Sequence, residues 1–308
     1  MKNLKITKIV PFILLVLLIF STNSQLFAQA DGSRAYWPVP KATTIATPLY
    51  FNINSNQVLL ANNYINADAD FNTNLYGIML TQSFELKGRT AAVIGFFSGG
   101  NTEGGYNDFQ GKASGLADFY GMGILNLVGA PAVNVEEYMK TKYDFILDLQ
   151  LAFRAPIGQY DAEKAINIGT NRWELKLGAP MIKFLNWGTS KVTSFEVLPS
   201  VSFYTNNNDI TDGDTLKRKP TFNLESHITQ AINQMLWVSL DSYYVTGGAT
   251  AIDNANFNER LSTFQLGGTL GVYLSTKLNF KFTYGGSVAH NKYGMDGNML
   301  RITGNYIF

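Results

Sequence analysis

His227 stands two residues after Glu225, and Ser239 and Asp241 follow in the next alternating stretch. A serine, a histidine and a carboxylate brought together suit nucleophilic catalysis: the hydroxyl attacks, the imidazole takes its proton and the carboxylate orients the ring. Strand pairing would set Ser239 or Asp241 opposite His227 if the intervening turn has odd length. The same residues also suit a polar cluster that satisfies itself, and no oxyanion donor can be picked out beside them. Metal chemistry has less support. Asp68-Ala69-Asp70-Phe71-Asn72 begins like a calcium loop, but Thr73 stands where glycine is needed and no glutamate follows at the required distance. Asp212-Gly213-Asp214 reads as a loop tip. The chain has no cysteine, which removes disulfides, thiolate ligands, a cysteine nucleophile and a lipoprotein anchor. No catalytic residue, cofactor or metal is expected, and a net charge of +1 gives no sign of a nucleic-acid partner.

The elements that must position these residues are strands. Tyr143 to Arg154 alternates with a period of two: Tyr143, Phe145, Leu147, Leu149, Leu151 and Phe153 on one face, Asp144, Ile146, Asp148, Gln150, Ala152 and Arg154 on the other. About twelve such stretches follow the leader, roughly at 42–52, 75–85, 89–97, 115–127, 143–155, 172–184, 191–204, 220–231, 236–246, 260–274, 278–288 and 299–308. Their connections alternate in length. Short turns fall near 86–89, 186–189, 233–234 and 275–276. Long polar loops fall near 53–74, 98–114, 156–171, 205–219, 247–259 and 289–298. One connection departs from this rhythm, because Asn134 and Glu137 can form a capping box for a short periplasmic helix.

Residues 1–30 read as a secretory signal peptide. Lys2, Lys5 and Lys8 precede the apolar run Ile9 to Phe20, and Ala28-Gln29-Ala30 offers a small-x-small site for cleavage before Asp31. No later segment is long and apolar enough for a spanning helix. An exported chain of even strand number, with short turns at one end and long loops at the other, predicts an all-β fold: a transmembrane antiparallel β-barrel of about twelve strands over residues 31–308. A soluble β-sandwich would alternate too. Strand lengths near the ~9–11 residues that cross a bilayer, with aromatic rings at both ends of the apolar faces, favour the membrane.

Apolar faces against outer-membrane lipid leave the opposite faces to line the lumen. Asp144, Asp148, Gln150, Arg154, Glu174, Lys176, Glu196, Glu225, His227, Asp241, Lys281 and Arg301 are expected there, with Tyr204, Trp237 and Tyr243 able either to stack on a flat apolar solute or to fill the interior. Mixed signs suit an internal salt-bridge network better than an ion-selective ring. Arg154 and Arg172 flank the third long loop, placed for gating or solute contact at the outer mouth or for ion pairing at the rim. Tyr143 and Phe153 would mark the two bilayer interfaces. The chain ends on a strand with Ile302, Gly304, Tyr306 and Phe308 on one face, an ending suited to the outer-membrane insertion machinery.

Several short motifs together resemble the phenol-degradation meta-pathway (MetA-type) outer-membrane transporter family. They are Asp31-Gly32-Ser33-Arg34-Ala35-Tyr36 with Pro38 and Pro40, Ser114-Gly115-Leu116-Ala117-Asp118, Asn126-Leu127-Val128-Gly129-Ala130-Pro131, Ala155-Pro156-Ile157-Gly158-Gln159-Tyr160-Asp161, Gly169-Thr170-Asn171-Arg172-Trp173, and Leu236-Trp237-Val238-Ser239-Leu240-Asp241 before Gly247-Gly248. The resemblance implies an outer-membrane barrel that admits hydrophobic or aromatic compounds, and it implies no catalytic residue. The expected function is diffusion of small, hydrophobic or aromatic solutes through a narrow barrel. The alternatives are a structural or surface barrel and, less favoured, a barrel hydrolase.

Overall fold

The computed structural model describes residues 31–58, 63–64, 69–210 and 213–308. The leader read at 1–30 lies outside the described residues, as do Asp68 and Asp212 of the two acidic loops. Twelve strands form the wall: β1 (Thr44–Ser55), β2 (Asp70–Leu86), β3 (Arg89–Tyr106), β4 (Phe119–Val128), β5 (Phe145–Ala155), β6 (Glu174–Gly178 and Met181–Leu185), β7 (Thr193–Tyr204), β8 (Thr221–Ala231), β9 (Leu236–Gly247), β10 (Leu261–Tyr273), β11 (Leu278–His290) and β12 (Gly297–Ile307). Each pairs antiparallel with its sequence neighbours, and β12 returns to β1 from Ile45↔Ile307 to Ser55↔Gly297, so the sheet closes on itself. Closure leaves no unpaired edge, the condition a sheet must meet in lipid. Among the described residues no helix is long and apolar enough to cross a membrane.

Two strands are built from pieces. In β6, Ala179-Pro180 separates the halves because proline lacks the N–H a ladder needs, yet both halves pair with β5 and with β7. The stretch expected at 115–127 divides at Ala117-Asp118. Its first two residues end a separate strand, Phe109–Leu116, which pairs with the outer half of β3, so most of the loop expected at 98–114 is a hairpin raised beyond the barrel rim. At the opposite end, Lys87 and Gly88 (φ 51° and 77°) join β2 to β3 in a two-residue turn, where positive φ matches the twist of a hairpin. The helix α1 (Val135–Lys140) lies on this short-turn side. Asn134 and Glu137 cap it reciprocally, each side chain accepting from the other's backbone N–H at 2.9 Å.

The outer faces are apolar, with Leu149, Leu151, Leu240, Leu270 and Phe282 exposed to the surroundings. Phe153 points outward as expected, but Tyr143 and Asp144 do not follow the alternation of β5. Tyr143 is buried, with its ring 4.9 Å from that of Trp187 and 5.7 Å from that of Tyr138. Asp144 lies outside the lumen, its side chain 76% exposed and paired with Lys183 at 2.6 Å. Both expectations are corrected: Tyr143 is not a girdle residue and Asp144 is not a lumen residue. Strand parity holds only while the ladder enforces it. Here β5 begins at Phe145, and an irregularity at Asn126/Val128 in its partner β4 shifts the register.

Candidate functional site: the barrel lumen

Residues 31–37 lie inside the barrel, where they dock on the wall formed by β5 to β11, and Lys41 to Thr43 then bond to Ser83 of β2 and to the Val133 carbonyl at the short-turn end before β1 begins. Glu225 accepts the backbone N–H groups of Asp31 (3.0 Å) and Gly32 (2.7 Å). Glu196 accepts the Arg34 backbone N–H (2.9 Å) and the Trp37 indole Nε1–H (2.8 Å). Lys176 Nζ pairs with Asp31 at 3.0 Å, Gln150 donates to Asp31 and to the Tyr36 hydroxyl, and Tyr36 in turn donates to Asp31. Lys281 Nζ donates to the Ser33 carbonyl at 2.8 Å. The Arg34 guanidinium sits between two indoles, 4.0 Å from the Trp37 ring and 4.1 Å from that of Trp237. Trp237 fits because Gly271 is across from it: a Cβ there would fall 1.9 Å from the indole.

Beneath this segment the charged side chains satisfy one another. His227 Nδ1 meets Asp241 and its Nε2 meets Glu225, both at 2.6 Å. Asp241 also accepts Ser239 Oγ (2.5 Å) and Thr269 Oγ1 (2.6 Å). The register that brings them together is His227↔Asp241 across β8 and β9. Ser239 is therefore bonded to the carboxylate rather than to the imidazole, and both ring nitrogens are held by carboxylates. This is the self-satisfying cluster, not the nucleophile–base pair a hydrolase needs.

The wall formed by β1 to β4 is different. Ile45, Leu49, Phe51 and Ile53 of β1, Leu75 and Met79 of β2, Ile94 and Phe96 of β3, and Met122 and Ile124 of β4 face a cavity of about 1040 Å³. Lys277 and Phe308 line one end of this cavity; Gln57, Leu261 and Met295 line the other. It therefore runs along the barrel between the docked segment and an apolar wall. The expectation of a polar interior throughout does not hold on this side. The outward faces there carry the asparagines instead: Asn52, Asn54, Asn72, Asn74 and Asn298 bond to one another beyond the Tyr50 and Tyr76 rings.

At the outer end, the Asp118 carboxylate pins the third long loop by accepting from Gly158 N (2.9 Å), Thr170 N (2.9 Å) and Thr170 Oγ1 (2.6 Å). Arg172, in the same loop, and Arg218 share the Tyr204 ring at 5.5 and 4.5 Å. Burial and the neighbouring Arg218 charge weaken the hold of Arg172 on its proton, although a guanidinium stays charged at neutral pH. On the same loop's exposed surface, Lys164 holds the Asp161 carboxyl below its ordinary range.

Asp148, Glu174, Glu225, His227, Trp237, Asp241 and Tyr243 lie within the barrel. Asp148 accepts from Asn126 (2.7 Å), and Tyr243 donates to Asn223 (2.8 Å). Arg154 and Glu174 pair at 3.2 Å, and Tyr204 bonds Thr221 at 2.8 Å. The anchors that strand reading passed over are Asp31, Arg34, Tyr36 and Trp37. Their stretch has no period and reads as a loop; its signal is composition, with an acid, an arginine and two aromatic rings inside seven residues.

A closed twelve-stranded antiparallel wall, apolar outside and threaded inside by residues 31–37, defines an outer-membrane β-barrel. Residues 88–302 match the family model described as "Putative MetA-pathway of phenol degradation", and the chain belongs to that family. Among solved structures it is similar to an outer membrane channel from Pseudomonas putida F1, with TM-score 0.75 and 18% identity over 91% of this chain and 100% of that one. It is also similar to the beta domain of the Bordetella autotransporter BrkA, with TM-score 0.52 and 12% identity over 87% of this chain and 100% of that one. No curated protein sequence matches it.

Proposed function

We propose that this barrel is an outer-membrane channel through which small, hydrophobic or aromatic solutes diffuse. The observation that carries the reading is the cavity of about 1040 Å³, which reaches both ends of the barrel and has one apolar wall. Water-soluble solutes gain little from Phe51, Met79 and Phe96, whereas an apolar ring exchanges water for side chains along its path. The opposite wall carries charges of both signs, bonded to residues 31–37 or to one another, so it offers no ring of one sign to select ions. Family membership and the fold shared with a P. putida outer membrane channel support the same reading. For assembly, we assign recognition by the insertion machinery to β12, where Tyr306 and Phe308 lie 5.0 Å apart at the chain end.

Vesicles with a lipopolysaccharide outer leaflet test the proposal, because that leaflet slows apolar solutes. Barrel-containing vesicles should take up 1-naphthol faster than empty ones and show little gain for arabinose. Equal rates with and without the barrel would reject the channel and leave the structural reading. The hydrolase alternative has no geometric support, because Ser239 does not address His227.

A further inference from the structure

The first described residue, Asp31, is anchored from several directions. The carboxylate of Glu225 straddles two successive backbone nitrogens, Asp31 N at 3.0 Å and Gly32 N at 2.7 Å, while the Asp31 side chain is fixed by Lys176, Gln150 and Tyr36. Glu225 is buried, at 3% exposure. Gly32 has φ 99° and lies against Arg301, where an added Cβ would fall 2.2 Å from Nη2. Independently, the small-x-small pattern Ala28-Gln29-Ala30 places leader cleavage just before Asp31. Two unrelated observations, a processing pattern and a lumenal carboxylate, thus meet at one nitrogen atom.

We propose that leader cleavage creates a specific ligand for Glu225: the α-ammonium of Asp31, seated inside the barrel as the fastening of the lumenal segment. A leader peptidase adds water across the Ala30–Asp31 amide, leaving a carboxylate on Ala30 and an amine on Asp31 that takes up a proton. Before the cut, Asp31 N is a neutral amide with one donor. After it, the atom is a cation with three donors facing a buried carboxylate, and such charge-assisted bonds are shorter and roughly twice as strong. Buried Glu225, already bonded to His227 Nε2 at 2.6 Å, thereby gains a second charged partner. Processing thus supplies the cation that fastens the segment when the barrel folds around it.

The test uses the full barrel purified from outer membranes. Intact mass spectrometry should give a chain beginning at Asp31. The folded protein is then treated with succinimidyl acetate near neutral pH, where the α-amine, with an ordinary pKa of about 7.7–8.0, reacts ahead of lysines. The Asp31 amine should label several-fold more slowly in the folded barrel than in the urea-unfolded chain. Protection should be lost in E225Q and in a variant with Gly-Ser inserted between Ala30 and Asp31, both checked for folding by heat-dependent gel mobility. A different N-terminus, fast labelling of the folded wild type, or unchanged protection in the folded variants would overturn the proposal. The readout is chemical and independent of solute flux, so failure of the channel reading would not move it.

Discussion

The two walls of the lumen handle the same problem, side chains turned away from the outside of a narrow barrel, in opposite ways. From β5 to β11 the wall is charged and filled: Glu225, His227, Asp241, Glu196, Lys176 and Lys281 face the segment at 31–37 and bond to it or to one another. From β1 to β4 the wall is apolar and open, and it borders the cavity. Buried charges must have partners, so a charged wall tends to close on whatever completes it, whereas aliphatic and aromatic side chains can face an unfilled space without an unpaired polar group. A barrel with one wall of each kind can hold a plug and still keep a path beside it.

Deleting residues 32–39 should give the largest effect. It removes the material between the walls while keeping all twelve strands, and single-channel conductance in planar bilayers should rise several-fold. Unchanged conductance would mean that the segment does not set the constriction.

A matched pair of substitutions then tests each wall. His227→Leu strips both Glu225 and Asp241 of their shared partner, and breaking a buried ion cluster costs about 3–5 kcal/mol. The heat-dependent gel shift should move to clearly lower temperature. Phe96→Asp, on the apolar wall, places a charge beside the cavity; it should slow 1-naphthol uptake several-fold while shifting that temperature less. Equal stability losses from the two variants would erase the distinction between the walls.

Ser239→Ala should have the smallest effect. It removes one hydroxyl donor to Asp241, worth about 1 kcal/mol, and should leave solute uptake unaltered. Ester hydrolysis by the purified barrel that vanished in this variant would instead restore a nucleophilic role for the charged wall.

Much of the barrel was legible as pattern. Alternation at β9 to β11 gave the outward Leu240, Leu270 and Phe282, and the spacing of Asn134 and Glu137 gave the cap of α1. Legibility failed where the backbone left the ladder. At Tyr143 and Asp144 the period-two count ran past the true start of β5, and at Ala179-Pro180 and Ala117-Asp118 single stretches proved to be two. The identity of the apolar wall was hidden differently: in β1, the inward Phe51 and Ile53 alternate with outward Asn52 and Asn54, and alternation alone does not say which set faces in.

The sequence by itself determined the class of fold. Strand period, strand length and the rhythm of short turns and long loops depend on neighbouring residues and the thickness of a bilayer, and these are local quantities. Only the tertiary structure decided the lumen. The contact between Glu225 and Asp31 spans 194 positions, and the one between Lys281 and Ser33 spans 248. Such pairs form only when closure of β12 on β1 places residues 31–37 inside the wall built by the strands, a consequence of topology that no local periodicity encodes.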